Sequence, residues 1–398
     1  MISKNSEVAE ALLSAAAVRE RTGWLFALGE MGNLEHFVLD LAAMPALAKR
    51  VAAVTRKAYP TLDVPFHARW RHFVHRGEDR WRALAARTRW ANPADRARAA
   101  FDLAITSVLL DAGAGPQWRY RDPATGDAIG RSEGLALASF DMFACGAFSA
   151  DPADPLRADA DKLVNLSVSD IAQGFQVSDE NPLEGLEGRV ALLNALGRVL
   201  ARPGALYDAL TSNAGVVAAP DILAAVLRHL GGIWPSRLSL GCVPLGDCWR
   251  HSRLDNGEPG SDLVPFHKLS QWLSYSLIEP IQIAGVRVTE IDGLTGLAEY
   301  RNGGLFLDGG VIVPRDPAML DDAHEPGSAV VVEWRALTVQ LLDRIAPLVR
   351  AELDVPDDLF PLAKVLEGGT WATGRMLARE RRADGSPPLR IVSDGTVF

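Results

Sequence analysis

Apolar positions recur at the spacing of amphipathic helices along most of this chain, and only a few short stretches alternate as a strand would. Residues 6–13 are rich in Ala, Leu and Glu, the strong helix formers. Gly32-Asn33 and Asn92-Pro93 break the pattern, and between them residues 34–59 carry Leu39, Leu41, Ala42, Leu47 and Val51 at helical spacing. The next helix is predicted over 93–112, with Asn92 as cap, Pro93 in the first turn and Gly113 just past its end. Further helices are predicted from about Ser132, over 186–201, over 221–230 before Gly231-Gly232, and over 266–277 before a break at Glu279-Pro280. Alternation around the turn pair Gly309-Gly310 predicts a short hairpin over 305–313, and 389–392 and 396–398 are β-prone. The expected fold is mainly α, one large helical domain over 1–398 with a few short strands. The Pro/Asp/Gly-rich stretch 151–160 is the best candidate for an internal boundary.

Composition narrows the function. The chain has 398 residues, 48% of them hydrophobic and 23% charged, which is ordinary globular material. Its formal net charge of −9 argues against the broad basic surface that nucleic-acid binding requires. The three cysteines, Cys145, Cys242 and Cys248, are too few for a disulfide framework and read as reduced thiols. The first residues carry Lys4, Glu7 and Glu10 without a long apolar run, and the apolar run near Ile105–Leu110 is too short to span a bilayer. A cytoplasmic protein with no membrane partner is expected.

Candidate chemistry is sparse. The segment Asp111-Ala112-Gly113-Ala114-Gly115 follows a helix and precedes Pro116, the reverse of a dinucleotide loop, and reads as a helix end and turn. Beyond it, Trp118 and Tyr120 offer flat faces to a base or sugar, although aromatic side chains more often pack in cores. Cys242, Cys248 and His251 match no zinc spacing, and no metal site is expected. His67, His72 and His75 lie among Arg69, Arg71 and Arg76 and read as a solvated basic face. Two segments concentrate unusual residue types. In the first, Lys268, Gln271, Trp272 and Tyr275 share one helical face after His267. A lysine there either snorkels from the core edge or points into a pocket, and the pattern does not choose. In the second, Glu299 stands between apolar residues and Tyr300-Arg301, as a buried ion pair or as a carboxylate tuned for catalysis.

With Leu109 to Trp118, Arg131-Ser132-Glu133-Gly134-Leu135-Ala136, His267 to Gln271, Glu299 to Gly304 and Ser393 to Phe398 taken together, the chain resembles the URC uracil-catabolism family, at its urea-releasing step. The likeness covers most of the chain. A fainter similarity is to the queuosine-nucleotide glycosidases. Leu110-Asp111 with Trp118, Pro182-Leu183 leading to Arg189, Phe266 to Gln271 with one residue inserted, and Glu299-Tyr300-Arg301 follow that family's order of landmarks. That family has Asp where this chain has Glu299, and Pro-Gln where it has Asn302-Gly303, so the base recognised must differ. These resemblances imply a helical fold like that of base-excision glycosylases, and an enzyme that hydrolyses the N-glycosidic bond of a ribosylurea or its 5′-phosphate, with no cofactor. They imply Glu299 as the carboxylate at C1′, Lys268 as its partner and Asp111 as a third catalytic candidate. Arg301, Tyr300, His267, Gln271, Trp118 and Trp272 would hold the small ribosyl substrate. An amidohydrolase or ring-opening enzyme of the same pathway, a phosphoribosyltransferase and a non-catalytic nucleoside-binding protein are the rival readings. The first lacks a metal cluster or nucleophile in the sequence, and the second lacks its phosphate loop.

Overall fold

A computed structural model describes residues 4–211, 215–234 and 238–392. The fold is mainly α-helical, as the periodicity predicts, and among the described residues every sheet has two short strands. The chain forms two compact units, one from residues 4–67, 238–271 and 290–392, the other from 68–234 and 272–289. The stretch 151–160 lies within the second unit.

The first unit is organised around the 25-residue helix Ala329–Leu353. Val330, Val331, Val332, Trp334, Leu337, Val339, Leu341, Leu342, Ile345 and Val349 are all buried, so the helix is apolar nearly all round and sits inside the unit. Helices Ala15–Glu30 and Met44–Ala58 pack against it. Helix Tyr300–Asp308 packs against both it and helix Trp371–Arg381. That last contact is close because position 374 is glycine: a Cβ there would meet the Arg301 carbonyl oxygen at 2.1 Å.

The second unit is built on helix Pro93–Leu109, buried almost throughout from Ala97 onward and packed against helices Arg131–Ala144, Leu186–Val199 and Ala205–Thr211. Asn92 caps it, accepting the Asp95 N–H at 3.0 Å. It ends at Leu109 rather than 112, because the buried Arg189 gathers the carbonyls beyond: Leu110 at 3.1 Å, Ala112 at 2.6 Å and Gly113 at 3.0 Å. The C-cap is Leu110, and the glycines after Asp111 lie in the turn beyond it rather than at the helix end.

Three sequence expectations are corrected. Residues 34–59 are α-helical only from Met44, after a 3-10 turn at Leu41–Ala43; Phe37–Leu39 is a strand paired antiparallel with Ile312–Pro314. The hairpin over 305–313 is instead the end of helix Tyr300–Asp308, a turn at Gly309-Gly310 and that partner strand. The helix was hidden because its cap is Glu299, a residue type seldom used there. Helix Lys268–Ile283 does not stop at Pro280. Proline deprives the Ser276 carbonyl of its intrahelical donor, and the Trp70 indole N–H replaces it at 2.7 Å. At the C-terminus, Arg390–Ile391 pairs with Ala323–His324, while 396–398 lie outside the described residues.

Candidate functional site

In the first unit, Lys268 and Glu299 both stand at helix beginnings. His267 precedes the Lys268 helix with φ of 49°, a left-handed backbone that is uncommon for a histidine. Its side chain is buried, and Nε2 lies 2.9 Å from the Leu12 carbonyl oxygen. The Asp247 carboxylate accepts the Lys268 N–H at 3.0 Å. Arg335 grips the same carboxylate with two bonds of 2.7 Å, and Trp249 donates to it at 2.8 Å. Burial alone would raise the Asp247 pKa, but the Arg335 guanidinium and the N–H donors hold it well below the usual carboxylate range. The start of this helix is thus clamped by a buried ion pair.

Gln271, one turn on, is fully buried and locked to Thr295: Nε2 donates to the threonine hydroxyl at 2.5 Å, and Oε1 accepts the Thr295 N–H at 3.0 Å. This fixes the loop that leads into Glu299. The Glu299 side chain accepts two backbone N–H bonds, from Arg301 at 2.7 Å and Asn302 at 2.6 Å, and so caps the Tyr300 helix. Burial raises its pKa above the ordinary glutamate value; the two N–H groups and the charges of Lys268 and His67 pull the other way without cancelling it. Lys268 and His67 therefore lie within electrostatic reach of this carboxylate.

His67 brings a second acid with it. Its Nδ1 is 2.8 Å from Glu367 Oε2, and the Tyr59 hydroxyl donates to Glu367 Oε1 at 3.2 Å. Glu367 lies in a π-helical stretch, Leu366–Thr370, a widened turn of a kind often found at functional sites. The stretch packs closely on helix Met44–Ala58: a Cβ at Gly369 would meet Val51 Cγ1 at 2.4 Å. The Thr370 hydroxyl donates to Asn302 Oδ1 at 2.9 Å, joining this stretch to the Glu299 helix. Trp371 sets its ring 6.5 Å from that of His67, and the Arg375 guanidinium covers Trp371 at 5.4 Å. Lys268, Tyr300, Glu367, Trp371 and Arg375 are all half-buried.

Of the other expected site residues in this unit, Tyr300 carries the Arg301 guanidinium 5.0 Å from its ring centre. Arg301 is buried and donates from Nη1 to the Gly385 carbonyl at 3.0 Å.

The second unit holds the rest. Asp111 binds the fully buried Arg69 through Nη1 at 2.5 Å and accepts the Ser132 hydroxyl at 3.2 Å. Arg69 also donates to the Ser107 hydroxyl at 2.7 Å and lies 5.5 Å from the Trp272 ring centre. Trp272 meets His72 edge-on at 5.7 Å. Trp118 is fully buried, donates to the Phe175 carbonyl at 2.9 Å and packs in the core of the unit. The expected solvated basic face over 67–76 is corrected. His67 and Arg69 are buried, Arg71 pairs with Glu279, and His75 and Arg76 pair with Asp127. Charge density in sequence could not reveal this, because every carboxylate partner is distant along the chain.

Sequence reasoning placed His67 and Arg69 on a solvated face and did not single out Glu367, Asp247 or Arg335. The signal available for Glu367 was an acid ahead of Gly368-Gly369 inside an otherwise helical run. Among the described residues, no three His, Cys, Asp or Glu side chains are grouped so as to hold a metal ion. No helix among them is long and apolar enough to cross a membrane.

Residues 11–398 match the family described as "Protein of unknown function (DUF1688)". The chain belongs to this family. Relatives include "Uracil catabolism protein 4" of Lachancea kluyveri, 38% identical over 432 aligned residues that cover 97% of this chain and 98% of that protein. "Protein urg3" of Schizosaccharomyces pombe is 36% identical over 411 aligned residues, covering 99% of this chain and 100% of that protein. The family resemblance read from the sequence motifs is thereby shown.

Proposed function

We propose that this family member is an enzyme of uracil catabolism that hydrolyses the bond between ribose C1′ and the nitrogen of urea, in a ribosylurea or its 5′-phosphate. The pathway assignment rests on the name of the Lachancea relative. The chemistry rests on one observation: a buried carboxylate, Glu299, oriented by two backbone N–H groups with Lys268 and His67 in electrostatic reach.

Breaking an N-glycosidic bond builds positive charge on C1′ and its ring oxygen. A carboxylate that cannot rotate and is poorly hydrated interacts strongly with such a charge and can orient the attacking water. Lys268 favours the ionised form of Glu299 that this role needs. The substrate is a small ribosyl compound, and the reaction uses no cofactor. The negative net charge fits a protein that does not engage nucleic acid. The test is to incubate the purified protein with ribosylurea and with its 5′-phosphate and to assay free urea and free ribose or ribose phosphate. Stoichiometric release of both supports the reading. Release of ammonia without urea would identify an amidohydrolase instead, and tight binding of the intact nucleoside without turnover would identify a binding protein.

A further inference from the structure

Urea is a poor leaving group. When the C1′–N bond breaks, its electron pair goes to an amide nitrogen, which must receive a proton as it departs. Glu299 cannot both carry the negative charge that steadies C1′ and supply that proton. Resting on the glycosidase reading, we propose that His67 is the acid that protonates the departing nitrogen, and that Glu367 is its positioning residue.

The arrangement has the parts such a role requires. Glu367 Oε2 takes Nδ1 of His67 at 2.8 Å, which assigns the Nδ1 proton to that bond and makes Nε2 the nitrogen that gives a proton away. The carboxylate is itself held: Tyr59 donates to Oε1 at 3.2 Å, and the π-helical turn aims the side chain. His67 is fixed by its own backbone N–H, which donates to the Ala363 carbonyl at 3.0 Å. The stretch that carries Glu367 is tied to the Glu299 helix through the Thr370–Asn302 bond, and His67 lies within electrostatic reach of Glu299. The neighbouring Tyr59 hydroxyl directs its proton to Glu367. Imidazole is the side chain suited to proton transfer near neutrality.

The step balances as follows. The C1′–N bond breaks, its electron pair stays on nitrogen, and the Nε2 proton of imidazolium His67 joins it, releasing neutral urea. Water then adds its oxygen to C1′. Its surplus proton passes to Glu299 and from there to the neutral imidazole, restoring the starting state.

The decisive experiment compares two leaving groups. His67→Asn, His67→Gln and Glu367→Gln are assayed with ribosylurea and with 4-nitrophenyl β-riboside, whose phenolate departs without a proton. Folding of each variant is checked by its melting temperature, and rates are taken per folded molecule. The His67 variants should lose about 10²- to 10⁴-fold with ribosylurea but stay within about tenfold of wild type with the nitrophenyl riboside. Glu367→Gln should show the same selectivity to a smaller degree. Glu299→Gln should fail with both substrates, because its role does not depend on the leaving group. Equal losses of the His67 variants with both substrates, or unimpaired urea release, would overturn the assignment while leaving the glycosidase reading intact. A wild-type protein that releases no urea would overturn both.

Discussion

Replacing Glu299 by Gln removes one charge and, with it, one acceptor. In the native structure the two carboxylate oxygens take the N–H groups of Arg301 and Asn302 at 2.7 and 2.6 Å. Glutamine has one carbonyl oxygen; its amide nitrogen would turn a donor toward a donor. One buried backbone N–H is then orphaned, which costs about 1–3 kcal/mol. Relief from burying a charge offsets part of this, because burial is the largest influence on Glu299 and opposes its ionisation. A fall of this size leaves a protein of ordinary stability, about 5–15 kcal/mol, folded at room temperature. The rate per folded molecule can therefore be measured, and removal of a charge facing C1′ should lower it by roughly 10²- to 10³-fold. Glu299→Asp separates the two functions. Aspartate is a favoured cap and keeps both acceptors, but its carboxylate withdraws by about 1.5 Å. It should melt near the wild-type temperature yet lose roughly 10²-fold in rate, the cost of an ångström-scale misplacement. Thermal unfolding and urea release measured on all three proteins give the answer. If Glu299→Asp is as active as wild type and Glu299→Gln loses only its melting temperature, Glu299 is a cap and nothing more.

Three further outcomes are expected. Asp111→Ala leaves the fully buried Arg69 guanidinium without its ion-pair partner, so unfolding should become easier by about 3–5 kcal/mol in a denaturant titration, and an unchanged midpoint would refute a stabilising role for this pair. Arg301→Ala should raise KM for the phosphorylated substrate more than it lowers kcat if the guanidinium anchors substrate; an unchanged KM with a lower melting temperature would confine it to the Gly385 carbonyl. Asp102 is buried, and burial outweighs Arg202 to push its pKa up to about 7. Because the folded value lies above the unfolded one, the fold binds this proton more tightly. The stability it contributes is therefore full in acid and is lost as pH rises through about 7. The melting temperature of wild type should fall between about pH 4 and 7 more steeply than that of Asp102→Asn, and equal slopes would remove Asp102 as the cause.

Much of the helical content was legible because burial of a helix face leaves a period in the sequence: Pro93–Leu109 and Leu186–Val199 announce themselves in this way. Failures came where a tertiary contact overrode a local rule. Pro280 continues its helix because Trp70, more than two hundred positions away (280 − 70 = 210), supplies the missing donor. The second half of the Tyr300 helix, within 305–313, reads as a hairpin in the sequence because a glutamate does the capping usually given to Ser, Thr, Asp or Asn. The site divides in the same way. Glu299 and Lys268 stood out as charged residues set among apolar ones, and their helix beginnings do come within electrostatic reach of one another. Glu367 is marked in the sequence only by the Gly368-Gly369 pair after it, since its partner His67 is three hundred positions away (367 − 67).

The position of Glu299 also bears on why a costly carboxylate is tolerated there. Burial raises its pKa, so the ionised form is held against solvation, and the N–H pair, Lys268 and His67 only partly offset this. A carboxylate at the surface would be cheaper, but water would answer any nearby positive charge in its place. On the proposed mechanism, the fixed donors around the buried carboxylate would not reorganise as charge appears at C1′, and its attraction for the developing cation would be felt nearly undiluted. The same two N–H bonds that end the helix correctly thus set the direction of that field. On the proposed mechanism, acid should inactivate the enzyme above the usual glutamate range. As pH falls, Glu299 takes up a proton earlier than an exposed glutamate would and loses the charge that the reaction requires.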